Sequence, residues 1–162
     1  MPRTTLDPSA RDITASGIAA SLTSSIRVLL VEDNEADAYL TRETLESGKL
    51  HIEIDVAVDG VEAIDLLTRA AASGSACLPD LILLDLNLPR MDGRQVLQTL
   101  KKDTVLRRIP VVILTSSEAE RDIAESYQLG ANCYVTKPVG LEAFQSIVHS
   151  VENFWFMVVK LP

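Results

Sequence analysis

Four consecutive aliphatic residues, Leu81-Ile82-Leu83-Leu84, stop at Asp85, and the loop Leu86-Asn87-Leu88-Pro89-Arg90-Met91-Asp92-Gly93 follows. A short unbroken apolar run between turn residues reads as a strand covered on both faces, as in an open parallel sheet. Such sheets bind ligands just beyond the carboxyl ends of their strands. Asp85 is therefore a candidate nucleophile or metal ligand, although a lone acid after a strand is more often a helix cap or a solvated loop residue.

The same pattern recurs three times. Ile26-Arg27-Val28-Leu29-Leu30-Val31 runs into Glu32-Asp33, Val111-Val112-Ile113-Leu114 into Thr115, and Asn132-Cys133-Tyr134-Val135-Thr136 into Lys137-Pro138. In one parallel sheet these ends meet at a single edge, bringing three acids, a hydroxyl and an ammonium together. That set suits transfer of a phosphoryl group to a carboxylate. Crowded carboxylates raise one another's pKa unless a cation neutralises them, and a hard, oxygen-seeking divalent ion, Mg2+, is the expected occupant. Asp33 and Asp85 read as direct ligands, Glu32 as a ligand through water, and the backbone carbonyl of Asn87 as a further ligand. Asp85 is a competent nucleophile for an aspartyl-phosphate, with Lys137 holding one phosphate oxygen and Thr115 donating a hydrogen bond to another.

Glu32-Asp33, Asp85, Thr115 and Lys137-Pro138, in this order and at these spacings, resemble the receiver domain of bacterial two-component response regulators over about residues 26 to 152. A few surplus residues before Asp85 fit a stretched loop at Ser73-Gly74-Ser75-Ala76-Cys77-Leu78-Pro79. The resemblance implies that Asp85 accepts phosphate from a histidine kinase, that Thr115 and Tyr134 form the switch that senses it, and that the Lys137-Pro138 bond is cis. Thr115 moving toward the phosphate would vacate space for the Tyr134 ring. The segment from Ser126 to Tyr134 and the ending Phe154-Trp155 through Pro162 resemble, more narrowly, single-domain regulators that partner phytochrome-type histidine kinases. Those regulators lack an output domain and form dimers through their fourth and fifth helices and flanks.

From Ile26 onward strands and helices alternate, which argues for an α/β fold with right-handed crossovers. The expected form is a flavodoxin-like, doubly wound five-stranded parallel sheet of order 2-1-3-4-5, in one domain. Asn34 is the predicted N-cap of a first helix through Glu46, with Tyr39 and Leu40 on its inner face and Gly48 closing it. Ile52, Ile54, Val56 and Val58 alternate with Glu53, Asp55 and Ala57, so this strand is predicted at an edge with one face exposed. His51, which starts it, is not expected to be a phosphodonor or ligand. Further helices are expected after Asp59-Gly60 and after Asp92-Gly93, the second carrying Val96, Leu97 and Leu100. A fourth, from about Glu118 to Gln128, has Ile123, Tyr127 and Leu129 as its sizeable apolar residues and should be weakly packed and movable. Asn87 and Ser117 flank the site where they can tune hydrolysis of the phosphate. A fifth helix should bury Phe144, Ile147, Val148 and Val151.

Residues 1–25 are rich in Ser and Thr and read as a flexible tail. Phe154 to Val159 are consecutively apolar, more than one helix face can bury, so residues 153–162 are expected to extend the last helix into a homodimer contact. At 162 residues the chain fits one domain and no DNA-binding module, and a net charge of −8 opposes nucleic-acid binding. The basic cluster Lys101-Lys102 with Arg107-Arg108 reads as a solvated helix end rather than a kinase dock. Two distant cysteines, Cys77 and Cys133, form no redox pair, and without an apolar span or secretion signal a cytoplasmic location is expected. Haloacid-dehalogenase-type phosphatases also use an aspartyl nucleophile but need a second Asp two residues on, where this chain has Asn87. A phosphoacceptor switch is therefore preferred to an enzyme, and to a binding module with a vestigial site.

Overall fold

The structure is a computed structural model that describes residues 25–48, 51–116, 125, 127–131, 133–137, 140, 142 and 146, apart from the side chains of residues 115, 133 and 136. The elements in order are β1 (Ile26–Val31), α1 (Glu35–Glu46), β2 (Ile52–Ala57), α2 (Gly60–Ser73), β3 (Leu81–Leu84), α3 (Gly93–Lys102), β4 (Val111–Thr115) and β5 (Cys133–Thr136). All strand pairs are parallel and the order is β2-β1-β3-β4-β5. This matches the doubly wound arrangement expected from the alternation of strands and helices.

Period-2 alternation explains why the central strands are apolar throughout. Leu29 and Val31 of β1, Ile82 and Leu84 of β3, and Val111 and Ile113 of β4 face one core with Ala63 and Leu67 of α2 and Val96, Leu97 and Leu100 of α3. Their neighbours Val28, Leu30, Leu81, Leu83, Val112 and Leu114 face a second core with Leu45 of α1. A strand sandwiched in this way has no polar face to offer. Each fully buried aliphatic side chain contributes about 1.5–3 kcal/mol relative to exposure.

Two sequence expectations change. Tyr39 and Leu40 point outward, 62% and 58% exposed, and α1 instead lays Ala38 and Leu45 against the second core. Ala38 and Leu45 lie seven residues apart on one helical face, and that face packs on the core while Tyr39 and Leu40 turn to solvent. The alternation assigned to β2 also breaks at its end. Ala57 is fully buried against the first core and Val58 falls beyond the strand, 52% exposed. The Ala57 carbonyl accepts from the Glu32 amide at 2.9 Å, which holds the chain against β1 at that point. β2 is nevertheless an edge strand, with Glu53 and Asp55 exposed.

Helix starts follow the expected chemistry. Asn34 caps α1 by accepting from the Asp37 amide, Asp59 caps α2, and Asp92 with Gln95 forms a capping box on α3. α1 ends at Glu46 as expected, with Ser47 rather than Gly48 as its C-cap. The surplus before β3 forms a turn of 3-10 helix at Ser75–Cys77, pinned by Arg27, whose guanidinium donates to the Ala76 carbonyl at 2.8 Å. Lys101 is half-buried, its stem lying against Gly130, so the basic cluster is only partly solvated.

Glu125, Tyr127 and Gln128 are helical and Tyr127 is 49% exposed, while Leu129 just past them packs on the first core; the rest of the fourth helix, and with it the expectation of weak packing, lies outside the described residues. So do the Lys137-Pro138 bond, the fifth helix's apolar face, Ser117, residues 1–24 and the segment 153–162. Among the described residues no helix is long and apolar enough to cross a membrane.

Candidate functional site

The carboxyl ends of β1, β3 and β5 deliver the side chains. Parallel register sets Val31 beside both Leu84 and Ala57, so Glu32 and Asp85 leave the sheet side by side. Thr115 at the end of β4 pairs in register with Thr136, and Lys137 follows. Glu32 and Asp85 are nearly inaccessible, while Asp33 is exposed. One carboxylate oxygen from each of the three lies within 4.8 Å of the others, a cluster of hard oxygen donors open to solvent on the Asp33 side. This donor set fits a divalent cation that keeps part of its water shell.

Lys137 contacts two of these acids directly. Its ammonium donates to Glu32 Oε2 at 2.7 Å, Asp85 Oδ2 at 2.9 Å and Asp37 Oδ2 at 3.3 Å. Asp85 Oδ1 accepts from the Asn87 amide at 3.0 Å, which fixes the carboxylate's orientation. Asp37, in the first turn of α1, is the functional neighbour that sequence reasoning missed. The spacing Glu32-Asp33-Asn34-Glu35-Ala36-Asp37 puts it in the first turn, three residues past the Asn34 cap, where Lys137 reaches it.

Burial is the main reason the Glu32 carboxyl is pushed up to about 7, with the hydrogen bond and charge of Asp85 adding to it and Lys137 opposing. Burial also works against the Lys137 ammonium, but its hydrogen bonds to Glu32 and Asp85 and their charges outweigh it and raise its pKa. The two partners thus shift in ways that favour a proton on each. Burial dominates at Glu32, whereas at Lys137 the hydrogen bonds and charges of Glu32 and Asp85 together dominate.

A pH dependence follows. Between the ordinary 4.5 and about 7 the unfolded chain has lost a proton that native Glu32 retains, so stability falls as pH rises through that window. At 1.36 kcal/mol per unit the loss is on the order of 3 kcal/mol at most. Urea denaturation in chelator at the two ends of the window is expected to show it, and added Mg2+ is expected to shrink it by taking the proton's place. A chelated protein equally stable at both ends would refute this assignment.

The loop after β3 is held from several sides. Leu86 and Leu88 are buried in the first core while Asn87 between them is exposed. Arg90 has φ 66° and lies between the Pro89 carbonyl and the Met91 amide, which hydrogen-bond at 2.7 Å across it in a γ-turn. Its guanidinium donates to the buried cap Asp59 at 3.1 Å. Gly93 starts α3 directly against the backbone: a Cβ there would overlap the Asp85 carbonyl oxygen and lie 2.7 Å from Leu86 Cα. Gly93→Ala is expected to cost about 1–3 kcal/mol in urea denaturation and to weaken metal binding by displacing Asp85. Unchanged values for both would show that the loop can yield.

Tyr134 is half-buried and packs on the first core beside Leu129 and Ala131. Its strand partner is Ile113, two residues before Thr115, so the two proposed switch residues lie near one another on adjacent strands. The Thr115 side chain lies outside the described residues. His51 is exposed at the start of β2, at the opposite end of the strand from the acids, and Cys77 is an exposed free thiol.

Comparison with known proteins gives a consistent result. A family model described as the response regulator receiver domain matches residues 28–149. Response regulator Rcp1 of Synechocystis is 43% identical over 135 residues, 83% of this chain and 92% of Rcp1. Among solved structures, the phosphorylated cyanobacterial phytochrome response regulator RcpA superposes with a TM-score of 0.66 at 45% identity, covering 82% of this chain and 95% of that one. The bacteriophytochrome response regulator AtBRR does so with 0.69 at 44%, covering 82% and 96%. The Mn2+-bound form of Rcp1 gives 0.63 at 42%, covering 80% and 93%.

Proposed function

The chain belongs to the response regulator receiver domain family, and from that premise we propose that Asp85 is the residue on which it carries phosphate. The protein is a phosphoacceptor of two-component signalling, related to the phytochrome response regulators. In the proposed reaction an Asp85 carboxylate oxygen attacks the phosphorus of a kinase phosphohistidine. The P–O bond forms as the P–N bond breaks, and the neutral imidazole leaves with a proton from solvent.

What supports this reading is a single juxtaposition: a buried Asp85 carboxylate with Lys137 on one oxygen, the Asn87 amide on the other, and Glu32 and Asp33 beside it. The Asn87 amide orients the nucleophile, and Lys137 neutralises charge that gathers on the transferred group. Mg2+, held by Asp33, Asp85 and the Asn87 carbonyl with Glu32 through water, would supply further charge neutralisation when bound. Thr115 and Tyr134 are proposed as the switch, and the fourth and fifth helices with residues 153–162 as a homodimer contact. No turnover is proposed beyond slow self-phosphorylation and self-dephosphorylation, in a cytoplasmic setting.

The relatives named as phytochrome response regulators point to a phytochrome-type histidine kinase as the donor. Incubating the protein with a purified, autophosphorylated kinase of that type and Mg2+ should move the phosphate to it within minutes, and chelator should stop the transfer. Transfer from other histidine kinases but not this type would remove the phytochrome assignment. Absence of label from any kinase and from acetyl phosphate would remove the phosphoacceptor reading.

A further inference from the structure

Lys137 has three N–H donors, and three carboxylates occupy them: Glu32 at 2.7 Å, Asp85 at 2.9 Å and Asp37 at 3.3 Å. A phosphate oxygen can therefore reach the ammonium only by displacing one of them. The three are unequal. The Glu32 and Asp85 side chains are 2% and 7% exposed, whereas Asp37 is 44% exposed and makes the longest contact. Releasing Glu32 leaves an uncompensated charge in the interior, modified Asp85 stays tethered beside the ammonium through its acyl oxygen, and water takes over at solvated Asp37. We propose that Asp37 is a positioning residue that occupies the Lys137 ammonium in the unphosphorylated state and is exchanged for a phosphoryl oxygen when Asp85 is modified.

The inference rests on the reading of Asp85 as phosphoacceptor. Asp37 is well placed for the part, because its amide donates to the Asn34 cap at 2.9 Å and the backbone of that turn is therefore fixed. Its side chain reaches across from α1 to a lysine 100 residues further along the chain. In this role Asp37 keeps Lys137 aimed at the site while it waits, and its competition weakens the site's hold on the incoming group. An acid at this point sets how readily the phosphorylated state forms.

Beryllofluoride, the phosphoryl mimic, titrated at saturating Mg2+ into wild type, Asp37→Asn, Asp37→Glu and Glu35→Gln tests the proposal. Glu35 is an exposed acid of the same helical turn and is not among the three carboxylates that hold Lys137, so it controls for simple removal of negative charge. Asp37→Asn is expected to bind about two- to fivefold more tightly than wild type, the range of an exposed ion pair. Asp37→Glu should return toward wild type, and Glu35→Gln should stay near it. Equal or weaker binding by Asp37→Asn, or an equal gain in Glu35→Gln, overturns the exchange. If wild type itself binds no beryllofluoride, the phosphoacceptor reading falls and this inference with it, so the two failures are told apart by the wild-type arm.

Discussion

Lys137→Met is expected to destabilise the metal-free protein by about 3–5 kcal/mol above neutral pH, the range for stripping one partner from a buried ion pair. Methionine keeps most of the side-chain volume, so the loss is electrostatic. Glu32 and Asp85 would be left facing each other in the interior with no cation between them. The penalty should shrink below pH 7, because Glu32 already holds its proton up to about that value and can stay neutral. It should also shrink with Mg2+, which supplies positive charge to the same acids. Urea denaturation at about pH 8 and about pH 5.5, with chelator and with Mg2+, checks all of this. A variant as stable as wild type at the higher pH would mean that the lysine's contacts are incidental.

The second large effect concerns the label itself. Asp85→Asn is expected to abolish the mass gain of one phosphoryl group from acetyl phosphate, because an amide oxygen is a poor nucleophile and its phosphorylated product has no stable form. The fold should survive, since asparagine's carbonyl can still accept from the Asn87 amide. Metal-free stability should rise rather than fall at neutral pH, as one of the crowded charges that raise the Glu32 pKa is gone. Intact-mass spectra with Mg2+ and thermal midpoints in chelator read the two effects separately. Label retained in full on the variant would move the phosphorylated position elsewhere in the cluster.

How much of this was legible in the sequence depends on how local each signal is. Glu32, Asp33, Asp85 and Lys137 each follow directly on a strand that its own residues announce, and parallel topology does the gathering. Asp37 was not legible, because its part depends on a lysine that arrives from the far side of the sheet. Tyr39 and Leu40 were assigned inward on hydrophobicity, yet the helix turns small Ala38 to the sheet instead. Val58 lies beyond the end of its strand, so the alternation read from the sequence runs one residue too far.

The 105 residues that separate Glu32 from Lys137 also bear on how the protein is made. A chain leaving the ribosome displays its paired acids early and its lysine only after all five strands have emerged, so the acids wait until then without their cation. Parallel neighbours cannot form hairpins, and ordering must bridge long loops before any contact rewards it. Phosphate acceptance therefore arrives late and all at once, and a stalled or truncated translation product lacking the last strand would be deaf to its kinase.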